Sequence, residues 1–82
     1  MNEINNNIIN ICIESLTAQV ADSYAETHNM SVTDALRLFM ATKTFELLLN
    51  NNSYLYLEPA PYIEDMLSAE LSGDWETWLE VL

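Results

Sequence analysis

Apolar residues recurring at helical spacing dominate the first half of this chain and leave it few alternatives to a helix. From Ile4 to about Glu26, the residues Ile9, Ile13, Leu16, Val20 and Tyr24 fall on one narrow stripe at about 100° per residue, and Ile4, Ile8 and Ile11 fall on another. The Asn-rich, Ile-rich opening is a weak intrinsic helix former and can also be read as a strand. The length of the periodic run and the segment Leu16-Thr17-Ala18-Gln19-Val20-Ala21 favour helix. Two stripes imply contacts on two sides.

Ser31-Val32-Thr33-Asp34 predicts a second helix start. The Ser31 hydroxyl can accept an orphan backbone N–H, and Asp34 can reach back while favouring the positive helix end. The spacing carries this helix to about Leu49. One face holds Ala35, Leu38, Phe39, Thr42, Phe45 and Leu49, and a narrower stripe on the far side holds Leu36, Met40 and Leu47, flanked by Arg37 and Lys43. A helix apolar on two sides is either sandwiched in its own domain or presents one side to a partner.

Asn50-Asn51-Asn52-Ser53 predicts a turn, because asparagine tolerates left-handed backbone and competes for local hydrogen bonds. Tyr54-Leu55-Tyr56-Leu57-Glu58 reads as extended: a connector with tyrosines packed on the helices or, alternatively, a strand added to a partner's sheet edge. Pro61 suits the first turn of a further helix through Tyr62, Ile63, Met66, Leu67 and Leu71, which Ser72-Gly73 ends. Asp74 can cap a last helix with Trp75, Trp78, Leu79 and Leu82 on one stripe. The expected architecture is mainly all-α: a small bundle of three to four helices with one short extended segment near 54–58, forming one domain over 1–82.

Thirteen carboxylates against two basic residues give a formal net charge of −11 on 82 residues. Nucleic acid and anionic membrane surfaces are repelled by such a chain, so the expected partners are basic or apolar proteins. Half the residues are hydrophobic, with one glycine and two prolines, which is the composition of a folded chain. A domain of this size buries only roughly 60% of its unfolded surface. Surplus apolar side chains on so small a body predict a homodimer seamed by Leu36, Met40 and Leu47, with Arg37 or Lys43 paired to carboxylates at its rim. One cysteine, Cys12, excludes an internal disulfide framework and suits a reducing compartment. The opening lacks the basic region of a secretory signal and no apolar run approaches about 20 residues, so a soluble cytoplasmic protein is expected.

No catalytic or cofactor pattern stands out. His28, the only histidine, falls near a helix end, where a partly protonated imidazole complements the negative terminus. Cys12 sits among isoleucines with no adjacent base and reads as a small hydrophobe. Asp22 and Glu26 share a helical face, but no metal-ligand spacing accompanies them, and adjacent Glu64 and Asp65 point apart. No catalytic residue, cofactor or metal site is therefore expected. Trp75 and Trp78 are candidate anchors for a partner, or they close the domain's own core.

Ser31 to Leu36, followed by Phe45-Glu46-Leu47-Leu48, Tyr54 to Glu58 and Tyr62 to Leu67, resembles a family of short uncharacterised bacterial proteins. Members of that group tend to be encoded beside toxin-like genes, including ones resembling ADP-ribosyltransferases. The resemblance covers His28 to Leu71, about half the chain, implies an antitoxin-like partner role and transfers no functional residue. The expected function is a non-catalytic interaction module that restrains a basic protein. The alternatives are a self-associating structural or housekeeping protein and, third, an acid/base enzyme using the dense carboxylates.

Overall fold

In the computed structural model, which describes residues 6–73, the first apolar stripe becomes the buried side of α1 (Asn6–His28). Ile9, Ile13, Leu16 and Val20 point into the core and Tyr24 packs at its edge. The second stripe stays in solvent at Ile8 and Ile11. The helix ends at Asn29, whose φ of 58° is the left-handed conformation that asparagine adopts more easily than most residues. The Met30 N–H closes the end by donating to the Ala25 carbonyl at 3.0 Å.

The helix expected over 31–49 is two helices, α2 (Val32–Met40) and α3 (Lys43–Leu49). The start is as expected, with Ser31 Oγ accepting the Asp34 N–H at 3.1 Å. The break falls at Thr42, which the continuous pattern had placed in mid-helix. Its hydroxyl donates to the Phe39 carbonyl at 2.6 Å and accepts the Phe45 N–H at 3.2 Å, so one side chain closes α2 and caps α3. The break resets the angular phase. Leu48 and Thr44 are fully buried, whereas Leu49, expected in the core, is half exposed.

The segment 54–58 is not extended. Two 3₁₀ turns, Asn51–Ser53 and Leu55–Leu57, replace it, with Tyr54 between them at φ 58°. Ser53 Oγ donates to the Leu47 carbonyl at 2.6 Å, and the Asn50 side chain accepts the Asn52 N–H at 3.0 Å. These local bonds compete with extension. Leu55 and Tyr56 are consecutive and both buried, unlike the alternation of a strand with one face in solvent.

α4 (Ala60–Ser72) begins with Pro61 in its first turn and ends at Gly73, where φ is 92° and glycine's lack of a Cβ is required. Ile63, Met66 and Leu67 are fully buried against α1, Phe39 and Leu48, while Leu71 is half exposed. The described residues form four α-helices and no strand, an all-α fold. Among them, no helix is long and apolar enough to cross a membrane. Asp74, Trp75, Trp78, Leu79 and Leu82, and with them the expected last helix, lie outside the described residues.

Candidate functional site

The geometry of α1 and α2 is set where they meet. Ala21, Ala25 and Ala35 are buried against one another, with Met30 and Leu36 packed around them. Interaxial distance depends on the side chains at the contact, so three alanines draw the helices close near the turn. Further along, the larger Leu36 and Met40 of α2 face Glu14, Thr17 and Ala18 of α1 across a space open to solvent. The result is a groove of about 410 Å³ lined by Ile13, Glu14, Thr17 and Ala18 of α1, Leu36 and Met40 of α2, and Phe45 and Leu49 of α3.

This groove is apolar apart from Glu14. Thr17 lends it no free donor, because its hydroxyl donates to the Ile13 carbonyl at 2.7 Å. Met40 and Leu49 are each about half exposed at its mouth, at 52% and 51%. Ile13, Glu14 and Leu49 also line an adjoining polar hollow of about 460 Å³ with Asn6, Asn10 and Asn51. From Asn6 to Ala18 the wall formed by α1 runs roughly 18 Å at 1.5 Å per residue.

The far wall depends on one carboxylate. Glu70 of α4 accepts the Lys43 N–H at 2.9 Å, the Thr44 N–H at 2.8 Å and the Thr44 hydroxyl at 2.7 Å, satisfying the exposed start of α3. Partial burial pushes the Glu70 carboxyl up, but the Lys43 N–H, the Thr44 hydroxyl and N–H and the nearby Lys43 charge together hold it below its ordinary value. Phe45, one turn into α3, packs edge-on against Phe39 with ring centroids 5.2 Å apart.

Of the residues expected at an interface, Leu36 and Met40 share this groove, but Leu47 does not. The phase change at Thr42 turns Leu47 toward the main core, against which it is partly buried. The expected seam of all three on one stripe is thus split. Lys43, expected at a dimer rim, acts on Glu70 of its own chain, and Arg37 is exposed on α2. Trp75 and Trp78 lie outside the described residues. Phe45 and Leu49 complete the groove and were read from sequence as core. The signal for them was Thr42-Lys43-Thr44, two β-branched residues within a run of good helix formers.

The residues weighed for chemistry are dispersed over the described structure. His28 stacks on Tyr24 with ring centroids 3.9 Å apart, in the last turn of α1. Cys12 is half-buried against the core. Glu64 accepts the Ser23 hydroxyl at 2.6 Å, tying α4 to α1, and Asp65 is exposed. Asp22 and Glu26 line a notch of about 590 Å³ with Ala25, Asn29, Met30 and Val32. Among the described residues no three His, Cys, Asp or Glu side chains are grouped to hold a metal ion, and no buried side-chain polar atom lacks a hydrogen-bond partner.

No protein-family model, curated protein or solved structure matches this chain.

Proposed function

We propose that this protein is a non-catalytic interaction module whose α1–α2–α3 groove takes an apolar segment of a basic protein partner and restrains that partner. The groove carries the reading: an apolar channel, open to solvent and bordered by a chain with a net charge of −11. Apolar area removed from water would supply most of the affinity, and the acidic surface would speed encounter with a basic protein. The antitoxin-like form of this role rests on the resemblance of residues 28–71. The test is affinity capture with the wild type and with Met40→Gln/Leu49→Gln, a pair that leaves the charge unchanged. A protein held by the wild type at low salt and lost by the variant supports the reading; the same proteins captured by both would sink it.

Self-association is a second reading, favoured by the surplus apolar surface at Ile8, Ile11, Met40 and Leu49. A homodimer through Leu36 and Met40 would occupy the same groove and compete with a partner. Analytical ultracentrifugation distinguishes the two. Met40→Glu is the sharper variant than Leu36→Glu, because Leu36 also packs on the alanine contact.

A further inference from the structure

The groove and the acidic notch succeed one another along the α1–α2 pair, a trough in two parts: α1 lines the groove with Ile13, Glu14, Thr17 and Ala18 and the notch with Asp22, Ala25 and Glu26. Glu14, Ala18 and Asp22 follow one another at i, i+4 spacing along α1, and Val32, Leu36 and Met40 do the same along α2. Residues four apart lie on one helix face. Because α2 returns antiparallel over the turn at Asn29, the rows run in opposite senses. Ala18, Leu36 and Met40 line the groove, while Asp22 and Val32 line the notch. An apolar middle is thus bounded by a carboxylate at Glu14 and by a pair at Asp22 and Glu26.

On the reading of the groove as a protein-binding site, we infer that its occupant is a basic amphipathic helix of the partner, laid along the trough. That helix carries two cationic residues seven or eight positions apart. The spacing follows from α1: Glu14 and Asp22 are eight residues apart, roughly 12 Å along the axis, which is about two turns of a helix lying beside it. The notch suits a lysine or arginine in particular. Met30 and the half-exposed Val32 offer apolar surface to the aliphatic stem, and Asp22 and Glu26 receive the charge.

Charge complementarity selects this occupant over a second copy of the chain. The only Lys and Arg in the sequence are Arg37 and Lys43, six positions apart on two different helices either side of the Thr42 break. No helix of this protein therefore presents two such cations at the required spacing. A second copy would also bring another −11 against the first.

The test uses labelled helical peptides of about fifteen residues with a common leucine stripe, read by fluorescence anisotropy at low and moderate salt. One carries lysines at i and i+7, one carries them at i and i+3, and one carries glutamates at i and i+7. The first is expected to bind roughly tenfold tighter than the others and to weaken with salt. Asp22→Asn/Glu26→Gln is expected to erase that advantage. Met40→Gln/Leu49→Gln, with folding verified by circular dichroism, is expected to abolish binding of all three. Equal binding of lysine and glutamate peptides, lost only in the Met40/Leu49 variant, would overturn the basic occupant and leave the groove reading standing. Equal binding of the two lysine spacings would overturn the two-point geometry. If no peptide binds, the basic helix is refuted; a wild-type dimer split by Met40→Gln/Leu49→Gln would then assign the trough to a second copy. Capture of the same proteins with and without that double substitution would bring down the groove reading itself.

Discussion

Ala35 and Phe39 are four residues apart on the same helix, both fully buried, and they do opposite things. Ala35 sits against Ala21 and Ala25, where little side chain separates α1 from α2. Phe39 enters a core of large side chains with Leu48, Ile63, Met66 and Leu67. The alanine contact buries little apolar area and fixes a distance; the core buries much and supplies stability. The difference teaches that the contact spacing α1 from α2 and the core that keeps them folded use different residues, while Ile13 and Phe45 belong to both the core side and the groove.

Substitutions at four positions can break or sharpen that contrast. Phe39→Ala is expected to cost about 3–5 kcal/mol in denaturant unfolding, through lost transfer energy and the cavity left behind. A loss under about 1 kcal/mol would remove the core from the comparison. Ala35→Leu is expected to cost about 1–3 kcal/mol by overpacking, and to prise α2 from α1 so that ligand binding changes while the main core stays intact. Unfolding with no effect on a ligand would show that the alanines do not set the trough.

Glu70→Ala is expected to cost about 1–2 kcal/mol, because it strips charge-assisted bonds from the start of α3. Its pH dependence has a definite sign. The folded carboxyl is held below its ordinary value, so its contribution is complete above the unfolded value of about 4.3 and is lost as pH falls through the folded one. Wild type is therefore expected to lose part of its stability in that acid window, and Glu70→Gln to show a shallower loss there. Identical acid profiles for the two would remove Glu70 from the account. The smallest effect belongs to Met40→Gln, within about 0.5 kcal/mol of wild type, because half-exposed Met40 serves the groove and not the core.

The sequence made the helices legible and hid the joint between two of them. Ile9 to Val20, the Ser31 cap, Pro61 and Gly73 are local signals, read from spacing or from one residue's backbone preference, and each stands where it was expected. Thr42 was hidden because it continues the helical spacing, and because the Lys43 and Thr44 N–H groups that the break frees are taken up by Glu70, 28 positions later. Once that break was missed, the phase at the end of α3 was misread: Leu49 for Leu48 in the core, and Leu47 for Leu49 at the groove. Tyr54 to Leu57 carried strand-like residue types, and only the Ser53 bonds and the left-handed Tyr54 decide against extension. The trough joins faces of α1 and α2 through an alanine contact that no spacing within either helix encodes.

The seven-residue α3, held at its first turn by a carboxylate from another helix, has a consequence for how such a protein can diversify. The exposed lining of the groove, Met40 and Leu49, is separate from the residues that keep the chain folded, although Ile13 and Phe45 serve both. Substitutions at Met40, Leu49 or Asp22 change the exposed lining of the groove and the notch without touching Phe39 or Leu67, and a change at the Thr42 joint alters how α3 is set against α2. If the groove binds as proposed, its lining can change while the fold is kept, provided that the acid at position 70 stays.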